Sequence, residues 1–554
     1  MASGKAWNRR IALAGGAALA ATGGYFWLRE PSGTTVHHSR LTDSRTFLRG
    51  NAAEPETLDP SQSSGTQESE IMGDLMIGLM THDPACKTIP GMATHWETSQ
   101  DGLAWTFHLR EALWSDGVPV TAEDFVFSWR RLVDPATASS YAYFLHLLKN
   151  GAAISAGKMP PSALGATAVD ARTLKLALEH PAPYLLELLT HGTTYPLPRH
   201  VVTEKGKEWA RPGNYVSNGP FTLKSWIPND YVLVEKNPRF YDAANVALER
   251  VYFYPTSDYG AALRRFQVGE LDYQERYPTQ KVDWIRKNLP QTIHPVPSLI
   301  TEIVGVNHKR KPFDDVRVRE AINLALNRHV ITQRILRNGE VPAYNVVPPG
   351  IANYQGGLAY DFKALSYSQR IEKAQSLMRA AGFGENRRFR TTYMIRSTAP
   401  TVGRAIAAAI QQMLAQVFID ITITPNDMQV FYPAIQEHDF DICQAGWAAD
   451  FSDASNFLDL FRTGGGNNWG EYSNPAFDTA LDSAQHEPDI HRRSEKLAQA
   501  EGIFLKDHAA MPLWFWVSLN VVWPYVKGFE ANALDYHRSR WISIDQAARL
   551  KQFA

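Results

Sequence analysis

Side chains able to do chemistry are numerous in this chain, and their spacing argues against most of the reactions they could perform. Seventeen histidines are scattered along the 554 residues. His37 and His38 are adjacent, but with no further His or Cys at ligand spacing they read as a solvated linker rather than a metal site. There are two cysteines, Cys86 and Cys443, so no disulfide framework exists. A single bridge between them would join distant segments within a narrow distance geometry. The Gly-rich stretch 463–470, TGGGNNWG, lacks the lysine and serine of a phosphate loop and reads as a flexible turn. Asp314 and Asp315 are paired at a helix start, where capping explains them without catalysis. Nucleophile-elbow, zinc-protease and CxxC patterns are absent from the sequence. The reading therefore assigns no catalytic residue, no metal ligand and no cofactor. Glycosidase carboxylates leave little local signature, so a hydrolase stays as a minor alternative. What the chain has in surplus is aromatic: 15 Trp, 22 Tyr and 25 Phe suit pockets that need flat, rigid walls with a polar edge.

The elements that must position such walls alternate in type. WTFHLR (105–110), YVLVEKN (231–237), RVYFYP (250–255), DITITP (420–425) and DFDICQAGW (439–447) have strand lengths with β-branched and aromatic content. TAEDFVFSWRRLV predicts a helix with Thr121 as N-cap, Asp124 three residues later and Phe125, Val126 and Trp129 on one face. PFDDVRVREAINLALNRHVITQRIL opens with acids at the positive helix end and repeats Val318, Ala321, Ile322, Ala325 and Leu326 at helical period. A third helix is predicted over 403–418. The mixture predicts α/β lobes, and 554 residues exceed what a single core holds.

Lys+Arg (56) and Asp+Glu (57) nearly cancel, which excludes a global basic field for nucleic acid. Residues 1–10 carry Lys5, Arg9 and Arg10 without an acid, and an uncharged Ala/Gly-rich run follows from Ile11 to Leu28. This reads as an export signal over residues 1–30, twin-arginine-like in its Arg9-Arg10 pair, with an uncleaved anchor as the lesser alternative. A periplasmic location follows from it.

Four stretches resemble the bacterial extracellular solute-binding family that serves oligopeptide, dipeptide and nickel ABC importers. They are WTFHLREALWSDGVPVTAEDF with its flanks, NGPFTLKSWIPNDYVLVEKNPRFYD, PFDDVRVREAINLALNR and FDICQAGWAADFSDASNFLDLF. The resemblance is strongest to the oligopeptide-binding branch. It implies an α/β, two-lobed periplasmic binding protein fold of type II, with an extra subdomain inserted in lobe I. The expected division is lobe I over 31–76, 201–299 and 518–554, the inserted subdomain over 77–200, and lobe II over 300–517. The implied function is non-enzymatic capture of a peptide ligand by a monomer and its delivery to an inner-membrane ABC permease.

The resemblance also implies a site. The aspartate after GW-x-A, here Asp450, would pair with the ligand's α-ammonium. Trp447 would wall a side-chain pocket, flanked by Gly446 and Ala448. Tyr141 would reach the ligand from the inserted subdomain, and Ser64, Gly65 and Thr66 would lend main-chain contacts from lobe I. Of Trp514 and Trp516, one is expected to face the cleft. Relatives carry arginine where this chain has Gln444, Arg-His at Ile435-Gln436, a glutamate at Gly305 and a disulfide at positions 300 and 448, here Ile300 and Ala448. The amino end of a peptide would then be recognised as in the family, and the carboxyl end differently. A non-peptide cargo on the same fold, such as an oligosaccharide, an opine-like conjugate or a metal chelate, remains the alternative.

Overall fold

The computed structural model describes residues 43–397 and 402–553. The predicted export signal and the His37-His38 pair lie outside them. Two bodies are built, each around a six-stranded mixed sheet. The first sheet runs Val521–Val522, Tyr273–Gln274, Thr46–Gly50, Arg250–Tyr254, Tyr231–Lys236 and Phe221–Ile227. Thr46–Gly50 is parallel to both of its neighbours and buried at every position, as expected of a strand covered on both faces. Burial on both faces forces its one charge, Arg49, to find an internal partner. The guanidinium donates to Glu70 at 2.6 Å, which ties the strand to the helix Thr66–Leu75. A second internal pair, Arg549 with Asp272 at 2.7 and 2.8 Å, docks the helix Gln546–Phe553 against the same sheet.

The second sheet runs Val341–Pro342, Met511–Val517, Pro297–Val306, Ile442–Ala448, Phe389–Arg396 and Ile419–Asn426. Phe389–Arg396 and Ile419–Asn426 are parallel, and the helix Val402–Ala415 lies between them in the chain. The chain enters this body along Pro297–Val306 and leaves along Met511–Val517, which are antiparallel neighbours. Entry and exit side by side allow the two bodies to rotate about one short line.

A four-stranded antiparallel sheet, Ala93–Thr98, Ala104–Leu109, Thr173–Ala177 and Ala166–Asp170, is attached to the first body. Ala104–Leu109 alternates half-buried and buried positions, and the helix Ala122–Val133 packs by this sheet. Thr121 caps that helix, with its backbone N–H donating to the Asp124 carboxylate at 2.8 Å, as the sequence predicts. One continuous apolar core joins this sheet to the first body, whereas the second body has its own.

The five predicted strands all form, four of them within one residue of the expected limits and the fifth, predicted from 439, beginning at Ile442. The long predicted helix beginning near 312 is interrupted. Its regular part spans Val316–Ala325, Leu326 turns extended, and a short helix and a π turn complete it to Leu336. Its start is capped by the Asp315 side chain, which accepts from the Arg317 N–H.

Candidate functional site

Most of the expected site residues lie on Ile442–Ala448 and the turn after it. Antiparallel register places Ile300 opposite Ala448, Glu302 opposite Gly446 and Val304 opposite Gln444, so Gln444, Gly446 and Ala448 share one face with Glu302. Cys443, Ala445 and Trp447 share the other face with Ile303 and Gly305. On the far side of this strand, Phe389–Arg396 pairs only with Ile442 and Cys443. From Gln444 to Ala448 the strand is therefore laddered on one side alone, a free edge of roughly 10–14 Å at about 3.4 Å per residue. Unpaired main-chain donors and acceptors of this kind accept an added strand.

Asp450 ends this edge. Its carboxylate accepts from the Tyr143 hydroxyl at 2.8 Å, and its N–H points to the Asn456 side-chain oxygen at 3.4 Å. Asn456 also accepts from the Trp447 indole N–H at 2.7 Å, which fixes that ring. No cation among the described residues forms an ion pair with Asp450. Burial pushes its carboxyl above the ordinary aspartate value, partly offset by the Tyr143 and Asn456 hydrogen bonds. A half-buried anion without a cation is a place for a cation to bind.

Tyr143 belongs to the attached subdomain, so the Tyr143–Asp450 bond spans the gap between the two bodies. The sequence pointed to Tyr141 instead. That ring lies behind Tyr143, with centroids 5.9 Å apart, and packs on Phe144 and His191. Burial, then the Asp450 charge, pushes its hydroxyl up to about 12.

Three cavities flank the edge. The largest, about 500 Å³, lies between Tyr143, His146 and Tyr184 on one side and Trp447, Asp450 and Asn456 on the other. A second, about 170 Å³, lies between Thr66, Tyr273 and Glu275 of the first body and Ile300, Ala448 and Trp516 of the second. A third, about 40 Å³ and apolar, is bounded by Gly305, Cys443, Trp447 and Trp469. Thr66 thus faces Ala448 across the gap. Gly65, in extended conformation, precedes the helix Thr66–Leu75, and Ser64 is exposed beside it.

Trp514 and Trp516 separate clearly. Trp516 lines the 170 Å³ cavity and donates its indole N–H to Glu302 at 3.2 Å. Trp514 is only 2% exposed, with Val341–Pro342 and Pro297–Val306 laddered on either side of its strand, and so offers no surface to a ligand. Of the pair, Trp516 is the one that opens on the gap, and Trp514, named with it as a ligand contact, is core.

Gln444 does not project alone. Its amide donates to Glu302 at 2.7 Å, and Arg396 donates to the same carboxylate at 3.0 Å. Glu302 is 2% exposed, and burial pushes its carboxyl above the ordinary glutamate value, with Arg396, Gln444 and Trp516 partly offsetting that shift. A Cβ on Gly446 would come within 2.9 Å of Glu302 Oε2, and one on Gly305 within 3.1 Å of Cys443 Sγ. Ile435 is fully buried in a small cluster with Met394, Phe431, Phe440 and Cys443. Both cysteines are free thiols.

Sequence reasoning missed Glu302, Arg396, Tyr143 and Glu275. Glu302 did carry a signal, as the lone charge in the apolar run SLITEIVGV. Among the described residues no group of three or more His, Cys, Asp or Glu is placed to hold a metal ion, and no helix is long and apolar enough to cross a membrane.

Comparison with known proteins agrees with this architecture. Residues 87–469 match the family model for bacterial extracellular solute-binding proteins, family 5 (middle). The chain is 34% identical over 499 residues to the periplasmic oligopeptide-binding protein OppA of Salmonella typhimurium, covering 88% of this chain and 90% of that protein. Among solved structures it is similar to the periplasmic murein tripeptide-binding protein MppA in its unliganded open form. That match has a TM-score of 0.80 and 32% identity and covers 91% of this chain and 98% of the other. Haemophilus influenzae OppA in complex with the peptide RPPGFSPFR matches with a TM-score of 0.76 and 32% identity, covering 91% and 99%. These neighbours share the two-lobed α/β periplasmic binding protein fold.

Proposed function

We propose that this chain, which belongs to the bacterial extracellular solute-binding proteins of family 5, is the capture component of an ABC importer. It takes up peptides, or peptide-like ligands with a free amine, in the gap between its two bodies and hands them to a membrane permease. The observation that carries this reading is the free edge Gln444–Ala448 ending at the carboxylate of Asp450, which has no cation partner among the described residues. An open edge bonds a main chain whatever its side chains are, and an anion at one end sets polarity. Thr66 and Tyr143 lie opposite on the first body, so a guest touching both bodies favours the shut arrangement. The division into lobe I, inserted subdomain and lobe II expected from the sequence is part of this proposal, as are the roles of Asp450, Trp447, Tyr141 and the 64–66 segment. So are action without catalysis or cofactor and work as a monomer in the periplasm after export; OppA and MppA are themselves named as periplasmic proteins.

The test is a thermal-shift screen of purified protein against short peptides, their N-acetylated forms and oligosaccharides. A ligand at 100 times its Kd adds about 2.7 kcal/mol of apparent stability, which a melting curve resolves. Peptides with a free amine are expected to raise the melting temperature and sugars to leave it unchanged. Stabilisation by sugars and not by peptides overturns the reading.

A further inference from the structure

The 170 Å³ cavity differs in kind from its neighbours. Three carboxylates line it, Glu70, Glu275 and Asp535, against a single cation, Arg276. Glu70 is satisfied by Arg49, and Asp535 accepts from Asn520 at 2.7 Å and lies 3.0 Å from His537. Glu275 makes no hydrogen bond or ion pair among the described residues. Tyr273 lines the same cavity while only 2% exposed, and its hydroxyl has no hydrogen-bond partner there. Ser298, 5% exposed, is in the same position. Burial raises the Tyr273 hydroxyl well above its ordinary value, and the Asp535, Glu70 and Glu275 charges add to this while Arg49, over its ring, opposes it. The remaining wall is apolar: Leu299, Ile300, Trp516, Val517 and Leu519.

An apolar wall leading to unpaired acceptors matches a long side chain with an apolar stem and a charged head. We infer that this cavity receives a basic side chain of the captured peptide, its methylenes against Trp516 and Ile300 and its ammonium or guanidinium among Glu275, Asp535 and the Tyr273 hydroxyl. The inference rests on the peptide reading above. Ala448, which borders the cavity, lies two residues before Asp450, or roughly 7 Å along an extended strand. A peptide whose amine meets Asp450 would therefore place its second or third residue here.

The experiment is calorimetry on the purified full chain with the peptides Ala-Lys-Ala-Ala and Ala-Ala-Lys-Ala and with their norleucine counterparts, which keep the stem and lose the charge. One lysine peptide is expected to bind at least about tenfold more tightly than its norleucine twin, the scale of one charge-assisted hydrogen bond. Glu275→Gln is expected to remove most of that ratio by weakening the lysine peptide more than its norleucine twin. Should Glu275→Gln melt early, Asp535→Asn serves as the second variant. Equal binding of lysine and norleucine peptides by the wild type overturns the inference and leaves the peptide reading standing. So does a ratio that survives in both variants. If none of the four peptides binds, the peptide reading itself fails and this inference with it.

Discussion

Replacing Asp450 by Asn tests the centre of the proposed site with little change in shape. The asparagine keeps an oxygen for the Tyr143 hydroxyl, now 2.8 Å from the carboxylate, and removes only the charge. A hydrogen bond to a charged group contributes about 1.5–3 kcal/mol. Stripping a buried ammonium of its anion costs about 2–5 kcal/mol, or roughly 30- to 4,000-fold at about 1.4 kcal/mol per factor of ten. Asp450 is only partly buried, so solvent screening places the expected loss near the lower end, about 30- to 100-fold. Calorimetry would compare wild type and Asp450→Asn, each with a free-amine peptide and its N-acetyl form. Acetylation should weaken wild-type binding by a similar factor and cost the variant almost nothing, because the two changes delete one interaction. A pH series adds a second readout. Burial raises the Asp450 carboxyl above its ordinary value of 3.8, so wild-type affinity should fall as pH drops through that raised value. The variant should not respond. Penalties that simply add would show that the amine and Asp450 do not meet.

Two further outcomes concern the scaffold. Asp272 and Arg549 are both fully buried and doubly bonded, so Arg549→Met, which strands the aspartate, should cost about 3–5 kcal/mol in urea unfolding. Adding Asp272→Asn, which removes the stranded charge and keeps an oxygen for the Leu48 N–H or the Tyr525 hydroxyl, should recover most of that loss, and a single variant as stable as wild type would contradict the pairing. Asp74 is fully buried, accepts from the Ser539 N–H at 2.9 Å through one oxygen, and leaves the other without a partner among the described residues. Burial pushes its carboxyl up to about 6. The folded state then binds this proton more tightly than the unfolded state, so its stabilisation is complete below about pH 4 and is lost as pH rises through 6. The loss is about 3 kcal/mol for a shift of roughly two units. Asp74→Asn should lack this decline, and equal stability slopes from pH 4 to 8 in the two proteins would refute it.

Much of the framework was legible because local pattern and final environment agree. Tyr231–Lys236, Arg250–Tyr254, Ile419–Asn426 and Ile442–Ala448 carry β-branched and aromatic residues, and each found a place in a sheet. The helix Ala122–Val133 advertised both its cap and its buried face. The site was legible in part. Tyr141 and Tyr143 look equivalent in sequence, and only the short 3-10 turn Ala142–Leu145 decides which ring reaches Asp450. Trp514 and Trp516 are two apart on one strand, yet Trp514 is covered by neighbours and Trp516 opens on the cavity. The Glu302 cluster joins residues 94 and 142 positions apart, beyond the reach of any spacing rule.

The ion pair between Asp272 and Arg549 also orders events in time. Its members are 277 residues apart, and the edge strand Val521–Val522 that closes the first sheet is also made late. At about 5–20 residues per second, the aspartate waits roughly 15–55 s for its counter-ion during synthesis. The segment from Pro297 to Val517 waits less, since all strands of its sheet lie within it and its last strand, Met511–Val517, precedes Arg549. The middle of the chain can therefore mature before the first sheet is secured, and the helix Gln546–Phe553 then docks on strands made long before it.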